Sequence, residues 1–380
     1  MSSTLSIYIH WPFCEAKCPY CDFNSHVRTS VNQDDWTEAY IKSLDFWAEK
    51  TNGKNISSIF FGGGTPSLMS EKSVSRIIET ISKLWTCQRN MEVSLEANPS
   101  SVEAKKFKAF RQAGVNRISI GVQALNDNDL KRLGRLHTAN EAKEAFEIAK
   151  DAFDRVSFDL IYARQYQTLQ DWEHELLMAL NMSVGHLSLY QLTIEDNTRF
   201  GELSLRGKLH GLPQDSISID FYQLTQQICK SQNLNAYEIS NHARQGEECQ
   251  HNLNYWRGGQ FIGVGPGAHG RVDYNGQRHL TETSFNPEVW LKQVQTNNID
   301  QFTSERLSST EQAEEYIMMG LRLEEGLDLD HYHQLSKQKL PKQKLDKLIF
   351  ENLIHIRSNI LKTTKYGKVL TNYVIRELLC

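Results

Sequence analysis

The stretch Leu5-Ser-Ile-Tyr-Ile-His10-Trp-Pro-Phe-Cys14-Glu-Ala-Lys-Cys18-Pro-Tyr-Cys21 joins an alternating apolar segment to three closely spaced cysteines. Residues 5–10 are rich in β-branched and aromatic side chains, which predicts a strand. The cysteines then lie on the loop that leaves this strand. Ligand sites of α/β proteins collect at the carboxyl ends of the strands. We therefore expect the cysteines to lie on the functional rim of the fold.

Three thiols at this spacing have three interpretations. A [4Fe-4S] cluster on Cys14, Cys18 and Cys21 would leave one iron without a protein ligand. A zinc site would take His10 or His26 as its fourth ligand. Free cysteines packed in the core are the third interpretation. The spacing favours the cluster and leaves the other two open.

Composition excludes several classes of protein. The 380 residues carry a net charge of -4 and no long Lys/Arg run, which argues against tight binding of nucleic acid through its phosphates. No apolar run approaches the ~18 residues of a membrane span. The first residues lack the features of a signal peptide, so we expect a cytoplasmic protein. Three of the seven cysteines are clustered, which argues against a disulfide framework.

Strand-like and helical patterns alternate through the first half of the chain. The predicted strands are 5–10, 56–61, 91–96, 117–122, 156–162 and 186–190. Repeated βα units predict an α/β fold with a parallel sheet, and six units fall short of a closed eight-stranded barrel. We therefore predict an open, partial (β/α)6 barrel of the TIM type, with a flat doubly wound sheet as the alternative.

Three domains are expected. The partial barrel would span 1–235, an extension 236–300, and a small helical, winged-helix-like domain 301–380. In the last of these, 360–364 and 368–371 predict a hairpin that turns at Tyr366-Gly367.

Further candidates follow the predicted strands, on the same rim as the cysteines. Glycines at 62–64 would allow a ligand to approach the backbone closely, although a tight βα turn explains them equally well. Polar side chains also follow the next strands, with a helix N-terminal carboxylate or a surface salt bridge as the alternative. These candidates are Gly63, Gly64, Thr65, Glu96, Gln123, Arg135 and Asp159.

The C-x-x-x-C-x-x-C spacing, with Tyr20 before the last cysteine, resembles that of radical S-adenosylmethionine (SAM) enzymes. The GGGTP, EANP, GVQ, LGR and FDLIY segments are similar to one branch of them. That branch contains oxygen-independent coproporphyrinogen III dehydrogenases (HemN) and HemW-type haem chaperones. The chain departs from it at 163–167, which reads Ala-Arg-Gln-Tyr-Gln where relatives have Gly-Leu-Pro-Gly-Gln.

The resemblance implies a [4Fe-4S] cluster on Cys14, Cys18 and Cys21. It also implies that Tyr8, Gly63 and Glu96 contact the SAM bound at the cluster. Residues that correspond to a second SAM site in the dehydrogenase are Gly64, Thr65, Gln123, Arg135 and Asp159.

Three features favour the chaperones within this branch. Phe23 stands where the dehydrogenases have a fourth cysteine, and Cys14 follows closely on the start of the chain, where the dehydrogenases have an extension. His251-Asn-Leu-Asn-Tyr255-Trp256 matches the H-N-x-x-Y-W motif of the chaperones. The resemblance implies that His251 is a haem ligand, with Tyr255 and Trp256 against the porphyrin. The alternative is an ordinary aromatic loop packed on the barrel.

The sequence thus predicts a haem chaperone without coproporphyrinogen III dehydrogenase activity. The rival is a radical SAM enzyme that acts on a tetrapyrrole through a 5′-deoxyadenosyl radical. A third candidate is a haem-binding module whose cluster serves assembly or redox sensing.

The expected cofactors are the [4Fe-4S] cluster, SAM and haem. The expected partners are haem and acceptor haem proteins, and we expect no nucleic acid. Peripheral membrane association with haem-protein partners and a homodimer are further expectations. A second unusual block, Gly263-Val-Gly-Pro-Gly-Ala-His269-Gly270, has no assigned role.

Overall fold

One large open sheet organises the protein, whose computed structural model describes residues 4–298 and 303–379. The strands, in chain order, are β1 (Thr4–Trp11), β2 (Phe13–Cys14), β3 (His26–Val27), β4 (Asn55–Gly63), β5 (Thr86–Ala97), β6 (Arg117–Gln123), β7 (Arg155–Tyr162), β8 (His186–Gln191), β9 (Asn235–Ala236), β10 (Asn241–Ala243), β11 (Phe261–Val264), β12 (His269–Tyr274), β13 (Gln277–Glu282), β14 (Thr303–Arg306), β15 (Leu327–Asp328), β16 (Ile354–Arg357) and β17 (Ile360–Thr363). The helices, in chain order, are α1 (Gln33–Lys50), α2 (Glu71–Leu84), α3 (Ser101–Ala104), α4 (Phe107–Gln112), α5 (Asp127–Arg132), α6 (Ala139–Ala152), α7 (Leu169–Met182), α8 (Arg199–Leu205), α9 (Asp215–Ser231), α10 (Gln250–Trp256), α11 (Pro287–Gln295), α12 (Ser309–Gly320), α13 (Leu329–Ser336), α14 (Lys342–Phe350), α15 (Lys365–Val369) and α16 (Thr371–Leu379).

Six parallel strands form the body of the sheet. β1, β4, β5, β6, β7 and β8 lie side by side in chain order, each hydrogen-bonded to the next. The predicted partial (β/α)6 barrel is confirmed. The flat doubly wound alternative is wrong, because its strand order would reverse direction within the sheet.

Two different edges flank this body. β11 adds to β1 in parallel and leads into antiparallel β12, β13 and β14. On the other side, β8 pairs antiparallel with β10, and β10 with β9. In the described part of the chain, the sheet runs from β14 to β9 without closing, so the barrel has an open side.

Alternation along the inner strands separates two environments. Ile7 and Ile9 of β1 are fully buried in the apolar core that includes α1. The residues that alternate with them, Ser6, Tyr8 and His10, are polar or aromatic. They face the barrel interior, because successive strand side chains point to opposite faces. Across β1 and β4 they align in the pairs Ser6–Ser58, Tyr8–Phe60 and His10–Gly62.

The barrel and the segment after it share one apolar core, which includes Ile262, Val264 and Trp290. The predicted boundary between 235 and 236 stays a prediction, and the one at 300–301 lies outside the described residues, as does Cys380. The C-terminal part has a separate core and a small sheet in the order β15-β17-β16. None of the described helices is both long and apolar enough to cross a membrane.

The predicted C-terminal hairpin is wrong. The hairpin joins β16 to β17 through Ser358 and Asn359, whose φ values of 48° and 64° suit a tight turn between antiparallel strands. Gly367, which suggested the turn, lies instead inside α15. There its missing side chain leaves room for the backbone of Leu353.

Candidate functional site

A small polar cavity of about 230 Å³ lies at the carboxyl ends of the parallel strands. Its walls include Cys14, Cys18 and Cys21. They also include seven of the predicted SAM residues, namely Gly63, Gly64, Thr65, Glu96, Gln123, Arg135 and Asp159. The eighth, Tyr8, lines a neighbouring larger cavity. Residues as far apart in sequence as Cys14 and Asp159 thus meet at one site, as the βα repeat predicts.

The three thiols are half-buried and face polar donors. Cys14 ends β2, and its Sγ accepts a hydrogen bond from Thr65 Oγ1 at 3.4 Å. The Sγ of Cys18 accepts one from Arg135 Nη1, also at 3.4 Å. Desolvation raises the pKa of both Cys14 and Cys21, so burial favours the neutral thiols, and a bound cation or metal would favour the thiolates. Three such thiols on one cavity fit an iron–sulfur group.

His10, the first candidate for the fourth ligand of a zinc site, is not free to bind a metal. His10 is buried, and both of its ring nitrogens are engaged, with the Tyr8 hydroxyl at 3.1 Å and the Asn24 carbonyl at 2.9 Å. The Nε2 atom of His26 is 2.9 Å from Asn24 Oδ1. Among the described residues, no group of His, Cys, Asp and Glu side chains is arranged to hold a single metal ion.

The glycine-rich loop after β4 packs directly on the cysteine-bearing segment. Gly63 has a φ of 111°, and a Cβ there would lie 2.6 Å from the His10 ring. The amides of Gly64 and Thr65 donate to the carbonyls of Trp11 and Phe13, at 2.7 and 2.9 Å. The glycine-rich loop therefore forms both a tight βα turn and a wall of the small cavity, because the turn places the loop beside the cysteines.

Two acids and one guanidinium among the predicted SAM residues line the small cavity. Desolvation, strengthened by the neighbouring Asp159, raises the pKa of Glu96 to about 8, so it is mostly protonated at neutral pH. Glu96 accepts a hydrogen bond from the Gly63 amide at 3.3 Å. Arg135 donates to Asn98 Oδ1 at 2.7 Å and to the Gly121 carbonyl at 2.8 Å.

Asn98 was not among the predicted site residues. Its Nδ2 donates to Thr65 Oγ1 at 3.2 Å, so it connects Thr65 with Arg135 beside Cys14 and Cys18. The sequence feature that could have identified Asn98 is its position directly after a strand that ends in Glu96 and Ala97. Polar side chains at such positions face the rim.

A larger cavity of about 1430 Å³ occupies the open side of the barrel. Its walls come from β8 and the segment before β10, from β11 to β14, and from helices α10, α12 and α13. Aromatic side chains line it, including Tyr8, Phe23, Tyr255, Trp256, Phe261, Phe285 and Tyr316. Gly63, Glu96 and Phe23 border both cavities, so the two adjoin.

The H-N-x-x-Y-W segment is helical, not a loop. Its three predicted haem residues lie in two different environments. Tyr255 and Trp256 line the large cavity. His251 is only 1% exposed, and its ring stacks on Phe60 at 5.1 Å. Its Nδ1 lies 2.8 Å from Ser58 Oγ, and its Nε2 lies 2.5 Å from the Tyr255 hydroxyl.

His251 is not among the residues that line the large cavity, and its role as a haem ligand stays a prediction. Burial lowers the pKa of His251 to about 3, which keeps the ring neutral. Both ring nitrogens are already in hydrogen bonds, and neither faces the cavity. In this arrangement, His251 fixes the position of Tyr255.

The start of α10 is fixed by Glu92, which is almost fully buried. Its carboxylate accepts the amides of Gln250 and His251, at 3.1 and 3.2 Å, and a 2.7 Å ion pair from Arg155. The Cys249 thiol also donates to it, at 3.3 Å. Cys249 is thus part of the contacts that hold the start of α10.

The loop that departs from the expected Gly-Leu-Pro-Gly-Gln keeps a backbone path suited to glycine. Ala163 and Tyr166 occupy the two glycine positions with φ values of 56° and 61°. Arg164 lies between them, 3% exposed, and pairs with Asp129 at 2.7 Å and Glu175 at 2.5 Å. These ion pairs stabilise a loop in which Ala163 and Tyr166 adopt the left-handed backbone conformation, which is strained for residues other than glycine.

Comparison with known proteins gives consistent matches. A model of the Radical SAM superfamily matches residues 8–179, and one of the HemN C-terminal domain matches 307–370. "Heme chaperone HemW" of Escherichia coli K12 is 36% identical over 381 residues, which cover 99% of this chain and 98% of the relative. The mitochondrial "Radical S-adenosyl methionine domain-containing protein 1" of Danio rerio is 37% identical over 338 residues, or 88% of this chain and 76% of the relative.

Among solved structures, coproporphyrinogen III oxidase (HemN) from Escherichia coli, described as a radical SAM enzyme, matches with a TM-score of 0.83. The match covers 99% of this chain and 90% of that chain. At 19% sequence identity, it shows a common fold and leaves the activity open.

Proposed function

This chain belongs to the HemW family of the radical SAM superfamily, and from that premise we propose that it binds haem and delivers it to acceptor haem proteins. The observation that carries the proposal is the pair of adjoining cavities. One is polar and lined by three cysteines, and the other is large, aromatic and open to the side of the barrel. A flat apolar ligand with polar edges fits the second.

In this proposal, Cys14, Cys18 and Cys21 hold a [4Fe-4S] cluster, as the superfamily implies. Tyr8, Gly63 and Glu96 contact the SAM at the cluster, and Gly64, Thr65, Gln123, Arg135 and Asp159 complete the SAM-binding walls. The donors toward Cys14 and Cys18 support this assignment, because hydrogen bonds to sulfur stabilise a thiolate. When bound, the cluster supplies an electron source and SAM a reducible sulfonium.

Haem occupies the large cavity against Tyr255 and Trp256. Both side chains are half-buried and held by α10, so they offer rigid apolar area with polar tips. The names of the full-length relatives support haem as the ligand and haem proteins as the acceptors.

The proposal is tested with anaerobically reconstituted protein. Haem titration followed by absorbance should give saturable binding, and transfer to an apo haem protein should restore that protein's spectrum. Turnover of coproporphyrinogen III should be absent. Formation of its decarboxylated product together with 5′-deoxyadenosine would instead support the radical SAM enzyme and contradict the chaperone.

The homodimer and the peripheral membrane association remain proposals of the same kind. Sedimentation of the reconstituted protein tests the first. Flotation with vesicles, with and without a membrane-bound haem protein, tests the second.

A further inference from the structure

We propose that His269, the first residue of β12, binds the haem iron in the large cavity. This inference rests on the haem binding proposed above and names the side chain that ligates the iron. Neutral imidazole is a common axial ligand of haem iron. Four histidines are candidates for this ligand: His251 and the three that line the cavity, His10, His269 and His331.

The availability of ring nitrogens separates His269 from the two buried histidines. His10 and His251 are at most 6% exposed, and each has both ring nitrogens in hydrogen bonds. The side chain of His269 is 57% exposed, and its nearest charged partner, Glu282, is 3.9 Å away. Within residues 4–298 and 303–379, neither of its nitrogens has a hydrogen-bond partner.

His331 lies on α13, across the cavity from β12. Its ring meets the Tyr316 ring edge-on at 4.7 Å, so it is packed against an aromatic side chain of α12. His269 instead follows a glycine-rich turn that adjoins the cysteine loop. Unlike His331, His269 therefore belongs to the same sheet as the cluster site.

Rigid packing of the Gly263–Gly270 block positions His269. Gly267 has a φ of 69°, and a Cβ there would lie 2.5 Å from Asn24 Nδ2, on the loop that follows the cysteines. Ala268 is held from both sides, since its amide donates to Thr283 Oγ1 at 2.9 Å and its carbonyl accepts the Thr283 amide at 3.1 Å. A ligand on such a strand is held more precisely than one on a free loop.

The same strand face continues with charged residues that line the cavity. Arg271 lies two residues along β12, roughly 7 Å from His269, because strands rise about 3.4 Å per residue. It pairs with Glu315 of α12 at 2.6 Å, so it is held in place over the cavity. A histidine for the iron and an arginine near the porphyrin carboxylates thus share one strand face.

The test is a haemin titration of the full-length, reconstituted protein and of three single variants. His269→Ala should weaken haem binding about 10-fold or more and replace the histidine-ligated absorption spectrum, since lost metal contacts cost at least that much. Added imidazole should restore the spectrum. His279→Ala is the matched control: it lies on β13, opposite Val272, outside the cavity lining. His331→Ala tests the opposite wall.

The outcomes separate this inference from the proposed function. Absence of haem binding by the unaltered protein would overturn both. Normal binding with an unchanged spectrum in His269→Ala would overturn the ligand assignment alone. A spectral change in His331→Ala with none in His269→Ala would move the iron ligand to α13 and also overturn it. Cluster iron content and thermal unfolding should match across all variants, because His269 lies at the surface of the cavity.

Discussion

The two adjoining cavities are built in different ways. The small one is made by consecutive βα units, and its wall residues lie in the strands of these units or in the segments that follow them. The large one is assembled from the two edges of the open sheet together with α10, α12 and α13. Local motifs therefore determine the first cavity, whereas long-range packing determines the second. The experiments below test whether the two cavities are also independent in function.

The largest effect is expected from the cysteines. Changing Cys14, Cys18 and Cys21 to Ala together should remove the cluster iron completely, because no thiolate ligand remains in the small cavity. Haem binding in the large cavity should change little. Iron analysis and haem titration measure the two effects, and Cys87→Ala, half-buried on β5 outside both cavities, is the control. Loss of haem binding in the triple variant would contradict independence.

Trp256→Ala should act in the opposite cavity. Truncating a buried aromatic anchor costs about 2 kcal/mol, or about 30-fold in haem affinity. The cluster iron should stay at its original level. Phe350→Ala, an aromatic side chain 92% exposed on α14, provides the comparison. Equal losses in the two variants would mean that Trp256 does not contact haem.

The buried His251 should make stability depend on pH. Its pKa is about 3 in the folded protein and about 6.5 when unfolded, so below pH 6.5 the unfolded chain binds the extra proton. The contribution of neutral His251 is present above pH 6.5 and falls by about 1.4 kcal/mol for each pH unit below it.

The measurement is denaturant unfolding between pH 7 and pH 5. The difference in free energy of unfolding between the unaltered protein and His251→Asn should narrow as the pH falls. A constant difference between the unaltered protein and His251→Asn would mean that folding does not lower the pKa of His251.

The smallest effect is expected in the loop that follows β7. Ala163→Gly should stabilise the protein by about 1 kcal/mol, because glycine adopts the left-handed backbone without strain. Ala145→Gly in the middle of α6 should destabilise it by about 1 kcal/mol. Denaturant midpoints compare the two, and destabilisation by Ala163→Gly would contradict the strain.

Sequence signals are stronger for the small cavity than for the large one. The six strands and the walls of the small cavity were predictable, because strand alternation and strand-end residues such as Glu96 and Asp159 are local signals. Tyr255 and Trp256, which were predicted to lie against the porphyrin, line the large cavity, and their contact with haem stays a prediction. The burial of His251 was not predictable, because it depends on Ser58 and Phe60, which lie almost two hundred residues earlier in the chain.

The C-terminal hairpin failed for a related reason. Gly367 suggested a turn, but its small size serves the close approach of Leu353. The true turn residues, Ser358 and Asn359, carry a weaker signal than glycine. His269 stood out only as part of a glycine-rich block, and its position beside the cysteine loop required the packing of Gly267 on Asn24.

The wall shared by the cavities has a thermodynamic consequence. Glu96 and Gly63 border both, so a ligand that moves either of them in one cavity alters the other. Such coupling is reciprocal: the factor by which SAM changes the affinity for haem equals the factor by which haem changes the affinity for SAM. With independent cavities, as expected above, this factor is close to one, and a cell's supply of SAM leaves the affinity for haem unchanged.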